Sequence, residues 1–282
     1  YSLIVQLLGK ERKIGLENPS YDKIRQVYEA NHVDCDMLEM GQSGIRTSEL
    51  ERTEATVLHV TPFNSYPSGV TATASKLHEY VRWSGVGDKY IIEDDFESEF
   101  SVSRKPEETL FSHSFRDNVI YMNSFSKSLA PSIRIGYMVL PPALMRKFRE
   151  NLGFYSCTVS GFEQHTLARF LSEGHFEKHI NRMRKFYRSR RNRLLEITEN
   201  CRWADRLTIE EADAGLHFLV NVDTELSDEA LEDFCRDMGV QVRCLSRYYF
   251  GPPPQESLHR IVVNYSGLNE DNLTRLAAIL GK

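Results

Sequence analysis

No stretch of these 282 residues approaches the roughly 20 consecutive apolar residues of a bilayer-spanning helix, so no membrane partner is expected. Basic charge is not in excess either. Lys and Arg number 35 against 40 Asp and Glu, and the net charge of -5 argues against a chain-wide nucleic-acid surface. The five cysteines (Cys35, Cys157, Cys201, Cys235 and Cys244) have no CxxC spacing. An odd, unpatterned set reads as reduced thiols of a cytoplasmic protein, not as a disulfide framework or a zinc site. Internal repeats and low-complexity tracts are absent. The opening YSLIVQLLGKERK is too short and wrongly flanked for a signal peptide. It reads as a helix already under way, so the chain is expected to begin inside a domain.

The 41% hydrophobic content is ample for one large domain, or for a large and a small one. Short β-rich runs alternate with helical patterns. Strands are expected at Val57 to Thr61, Tyr90 to Glu93, Val119 to Asn123 and Ile135 to Leu140, with a helix over Thr71 to Ser84. Such alternation predicts an α/β fold with a mainly parallel sheet covered by helices. Sheets of this kind place ligands just past their strand ends. From His175 to Glu199, Phe176, Ile180, Met183, Tyr187 and Leu194 recur at helical spacing, and the other faces are rich in Arg and Lys. A solvated interdomain helix is the simpler reading of that charge than a nucleic-acid contact. His175 and His179 lie four apart, but without the acidic residue of an HExxH pair no metal is expected. After Cys201 come strand-like GLHFLVNV (Gly215 to Val222) and a helix near Asp228 to Met238. Strands at Val240 to Arg243 and Arg260 to Ser266, then a terminal helix, complete a smaller C-terminal α+β domain.

Four segments carry the chemistry. SFSKSLAPSIRIGY (Ser124 to Tyr137) follows a strand and sets Lys127 between small hydroxyl residues, with Arg134 seven positions on. A lysine can form an imine with an aldehyde cofactor when its surroundings favour the neutral amine. An arginine can clamp a phosphate, and Ser124 and Ser126 can add hydroxyl donors. By itself a Ser-Lys pair is most often a surface turn. IIEDDFESEF (Ile91 to Phe100) carries carboxylates at a strand end. It is either a solvated acidic turn or the source of a carboxylate that keeps a pyridine nitrogen protonated. Strand alternation lets only one of Asp94 and Asp95 face such a ligand. TPFNSYPSG (Thr61 to Gly69) is a turn after a buried strand, and ENPSY (Glu17 to Tyr21) offers an aromatic face.

Together and in this order, these segments resemble fold-type I pyridoxal 5′-phosphate (PLP) enzymes. The combination of IIEDDFESEF, SFSKSLAPSIRIGYMVLPP and AGLHFLV resembles the aminotransferase-like domains of MocR/GabR-type regulators in the GntR superfamily, essentially over the whole chain. That resemblance implies PLP held as an imine on Lys127, with Asp94 at the pyridine nitrogen, Arg134 at the phosphate and Tyr21 stacked on the ring. It divides the chain into a large PLP-binding domain over 1–160, interdomain helices over 161–200 and a small C-terminal domain over 201–282. Full members carry an N-terminal winged helix-turn-helix, a linker and a glycine-containing phosphate loop. These are not found here, so the chain is read as a truncated effector domain that reaches DNA only through the absent module.

Four positions depart from the family's pattern. Phe96 stands where a Tyr usually contacts the cofactor's phenolic oxygen. Asn64 and Ser65 replace a His-Gln pair, which leaves Asn64 as the candidate substitute donor. The arginine that grips a substrate carboxylate would fall near Gly267. These departures leave cofactor binding intact and put transamination in doubt. The expectation is therefore an effector-sensing domain of a bacterial transcription regulator, with an aminotransferase of the aminoadipate/kynurenine type as the alternative. The effector is expected to be an amino acid, a dipeptide or a vitamin B6 vitamer. A homodimer is expected, because fold-type I sites lie at a two-fold subunit interface.

Overall fold

The structure is a computed structural model that describes residues 1–100, 108–114, 116–210 and 215–281. The opening residues form α1 (Ser2–Leu8), which buries Ile4, Val5, Leu7 and Leu8. There follow β1 (Ile14–Asn18), α2 (Asp22–Ala30), β2 (Cys35–Gly41), β3 (Gly44–Ile45), α3 (Thr47–Arg52) and β4 (Val57–Val60). Next come α4 (Ala74–Ser84), β5 (Tyr90–Asp94), α5 (Leu110–His113), β6 (Val119–Ser124), α6 (Phe125–Ser128) and β7 (Gly136–Val139). The seven strands form one sheet in the order β3-β2-β1-β4-β5-β6-β7. Its five central strands are parallel and its two edge pairings antiparallel.

Every residue of β1 and β4 is buried, as expected of strands covered on both faces. Gly15 is required for that close fit. A Cβ there would come within 2.8 Å of both Leu38 and Leu58 on the neighbouring strands. One core, including Leu16, Tyr28 and Ile92, lies under α1 and under α7 (Pro142–Leu152). The opposite face packs Leu58, Ile91 and Tyr80 against α4. That helix begins at Ala74, three residues later than the sequence suggests, because the Thr73 side chain accepts the Lys76 amide and caps it there.

Two helices follow, α8 (Gly161–Ser172) and α9 (His175–Glu199), the latter with the expected bounds. The chain ends in an antiparallel sheet of β8 (Leu207–Glu210), β9 (His217–Val222) and β10 (Arg260–Asn264), with α10 (Asp228–Asp237) and α11 (Glu270–Leu280). A separate core of Leu194, Phe218, Val220, Leu231 and Leu273 holds this part to α9. The run from Val240 to Arg243 is not a strand. Its Val240 amide turns back to the Cys235 carbonyl, its Arg243 carbonyl accepts the Val262 amide, and the isolated bridge follows at Cys244. Ala214, the first residue of AGLHFLV, lies outside the described residues.

β1 and β4 are sequence-distant neighbours, with β2 on one side and β5 on the other. The strand order therefore reverses between them, and the crevice beyond their carboxyl ends is where such sheets place ligands. Past those ends stand Tyr21 after β1, Thr61 and Tyr66 after β4, Asp94 at the end of β5, and Ser124 and Lys127 at the end of β6.

Candidate functional site

All six residues line one cleft of about 800 Å³, together with Tyr1, Phe96, Glu97, Tyr137 and Asn264. That volume is in the range of small-molecule sites, roughly 300–1,000 Å³. Asp94 is buried at the cleft floor. Its Oδ2 accepts the Tyr1 hydroxyl at 2.6 Å and meets His59 Nε2 at 3.2 Å. Tyr28 fixes the far side of the same imidazole through its hydroxyl, 2.8 Å from His59 Nδ1. Burial and the adjacent Asp94 carboxylate push the Tyr1 phenol well above its ordinary range, so it stays a donor. Asp95 does not line the cleft. It takes the Tyr121 hydroxyl at 2.8 Å, and burial raises its carboxyl. The alternation of β5 thus turns Asp94, and not Asp95, towards the cleft.

Lys127 sits on the single helical turn of α6, directly after β6. Its Nζ donates to Ser266 Oγ at 3.3 Å and lies 3.9 Å from Glu97 Oε1. Sequence reasoning did not single out Glu97, Ser266 or Tyr66. Glu97 is fully buried, and its Oε2 accepts Asn64 Nδ2 at 2.8 Å and the Leu216 amide at 3.0 Å. His217 Nδ1 lies 3.6 Å from the same oxygen. Burial alone would raise this carboxyl. His217, Lys127 and the Leu216 amide outweigh it and hold the group below the usual carboxylate range. The close approach depends on Gly215, whose φ is +60° and whose added Cβ would meet Asn64 Nδ2 at 1.6 Å. The missed signal was long-range: 119 residues separate Glu97 from the amide it binds.

The other expected site residues are divided. Tyr21, Phe96 and Ser124 line the cleft, and Tyr21 meets Tyr66 edge to face at 6.1 Å. Ser126 is half-buried beside Lys127, outside the lining. Asn64 is also outside the lining, fully buried beneath Glu97, with φ at +48°. Arg134 is exposed in the left-handed region with φ at +52°, and its Nη1 donates to the Pro131 carbonyl. Gly267 does not line the cleft, and a Cβ there would meet open space. The histidines of α9 have ordinary partners: His175 lies 3.3 Å from Glu173, and His179 Nε2 lies 2.9 Å from the Ser128 carbonyl.

From residue 1 to residue 280 the chain matches the aminotransferase class I and II family. It belongs to that family. Its relatives include the uncharacterized helix-turn-helix regulator YdeL of Bacillus subtilis, 31% identical over 96% of this chain and 58% of the relative. Another is the probable rhizopine catabolism regulatory protein MocR of Rhizobium meliloti, 32% identical over 82% of this chain and 46% of the relative. The chain thus spans about half the length of the curated relatives it matches. The fold is that of the kynurenine aminotransferase of Pyrococcus horikoshii, with a TM-score of 0.82 at 23% identity over 99% of this chain and 72% of that one. LysN, the α-aminoadipate aminotransferase of Thermus thermophilus, matches with a TM-score of 0.81 at 21% identity over 99% and 74%. Pyridoxal 5′-phosphate is the family's cofactor, and the donor set fits it. A buried carboxylate faces the cleft for a pyridinium, an amine for an aldehyde, and an aromatic wall for a ring. Among the described residues no helix is long and apolar enough to cross a membrane.

Proposed function

We propose that this chain is the PLP-binding, effector-sensing part of a helix-turn-helix transcription regulator, not a working aminotransferase. The observation that carries the reading is similarity to such regulators over nearly the whole chain, 96% of it in one case. The cleft supports it. Phe96 supplies no hydroxyl, and among the described residues no arginine lines the wall. DNA would be bound by another part of the protein. The effector would be a small molecule: an amino acid, a dipeptide or a vitamin B6 vitamer. A symmetric homodimer belongs to the same reading. Within it, residues 1–160 hold the cofactor, 161–200 link, and 201–282 form the smaller domain.

The bound cofactor supplies an aldehyde and an electron-accepting ring. Lys127 would hold it through its amine. Asp94, oriented by His59 and Tyr1, would keep a proton on the ring nitrogen. Tyr21 would offer its face to the ring, and Ser124, Ser126 and Arg134 would be the phosphate's donors, of which Ser124 lines the cleft. Borohydride reduction of the PLP-loaded protein followed by peptide mapping tests the assignment. The adduct is expected on Lys127 and absent from Lys127→Ala, whereas an adduct on another lysine sinks the site. Single-turnover mixing with a panel of amino acids tests the choice against catalysis. Fast amino transfer by the wild type would make the protein an enzyme.

A further inference from the structure

The cleft holds a second buried carboxylate besides Asp94. Glu97 commits Oε2 to the Asn64 amide and the Leu216 backbone amide. Its Oε1 has no hydrogen-bond partner among the described residues and is the carboxylate oxygen that faces Lys127 Nζ, at 3.9 Å. A fully buried anion with one oxygen saturated and the other open towards a reactive amine is costly unless that amine is the partner. We propose that Glu97 is the counter-ion of Lys127, positioning its amine and holding a proton on its nitrogen when the cofactor is attached there. The inference rests on the PLP-binding reading and extends it to a residue that does not itself bond to the cofactor.

Charged and titratable groups face Glu97 from every side. Lys127 stands on α6 and His217 on β9. Burial raises the Tyr187 phenol on α9 and the Tyr265 phenol after β10, and the Glu97 carboxylate adds to both. Asp94 shares the cleft wall. Lys127 supplies the cation that faces the open oxygen. Protonation of the linked nitrogen makes the attached carbon more electrophilic, so a ready proton favours capture of an incoming effector amine. An opposite charge within about 4–6 Å shifts a titration by roughly one to three units towards the charged form.

The test is a pH titration of the visible absorption band of the PLP-loaded protein. Removing the anion in Glu97→Gln should lower the midpoint by at least one pH unit. Ser266→Ala removes a hydrogen bond but no charge, and should move it by less than half a unit. Should Glu97→Gln not fold, Glu97→Asp draws the charge back by one methylene and should lower the midpoint by roughly half a unit. An unchanged midpoint in a folded Glu97 variant overturns the proposal. A purely structural role would change stability and leave the midpoint in place. Borohydride labelling of the same samples separates the two ideas. A labelled Lys127 with an unmoved midpoint sinks the counter-ion alone, whereas no label in the wild type sinks the PLP reading itself.

Discussion

Phe96 stands two residues beyond Asp94, in the wall of the cleft that Lys127 enters. A tyrosine there would donate to the cofactor's phenolic oxygen and stabilise its charged form. Such a bond is worth about 1.5–3 kcal/mol, and one titration unit is about 1.4 kcal/mol. Phe96→Tyr should therefore lower the midpoint of the Lys127-linked cofactor by roughly one to two units, read from its absorption band against pH. No change would mean that another donor already serves that oxygen. The Tyr66 hydroxyl is in the same wall, but it is paired at 2.8 Å with Tyr248. At this scale the sequence was legible where a short motif places its residue at a strand end facing the cleft, as with Asp94 and Lys127. Glu97 went unread beside them, because its meaning depends on His217 and Leu216, which reach it only through the fold.

At the scale of elements, β1 and the turn after β4 are tied by Glu17. Its Oε1 accepts the Thr61 amide at 3.1 Å and its Oε2 accepts the Ser65 hydroxyl at 2.6 Å. Burial pushes the Glu17 carboxyl up to about 7, and does the same to Glu93 and Glu99. A carboxyl raised in the folded state binds its proton more tightly there than in the unfolded chain. The stability it contributes is full below pH 4.5 and is lost as pH rises through 7. Resistance to urea should accordingly fall between pH 5 and pH 7, by on the order of 1 kcal/mol per unit for each such group. Glu17→Gln should remove about one group's share of that slope, whatever it does to absolute stability. Denaturation curves at three pH values in this window check it, and an unaltered slope would show that Glu17 is not protonated in the fold. The expected β4, β5, β6 and β9 were recognisable because their apolar runs are bounded by turn residues. β2, interrupted by Asp36 and Glu39, and the two-residue β3 gave no such run. Val240 to Arg243 looked like a strand in composition but finds no continuous partner edge.

For the whole molecule, several large apolar side chains of the described residues stand open to solvent. Phe154 is 76% exposed and Phe162 82% exposed, and Tyr137 and Val139 on edge strand β7 are also open. A contiguous apolar patch marks an interaction surface, whereas single exposed apolar residues are ordinary. In the proposed homodimer these side chains would be covered, so sedimentation at micromolar concentration should give twice the chain mass. Phe162→Glu should shift the equilibrium towards monomer with the circular dichroism spectrum preserved. A wild-type monomer would count against the dimer.

By itself the sequence determined the class of fold, the order of the β4 to β7 strands along the chain, the bounds of α9 and the two strand ends that carry Asp94 and Lys127. These follow from local periodicity and short motifs, in which the informative residues are near one another in the chain. Tertiary structure alone decided which carboxylates share a cleft, that Asn64 lies beneath Glu97 and outside the wall, and that His59 and Tyr28 stand behind Asp94. Those placements depend on the crossover order of the parallel strands and on the approach of Gly215 to Glu97. No local pattern encodes them, because each is set by packing between residues far apart in the chain.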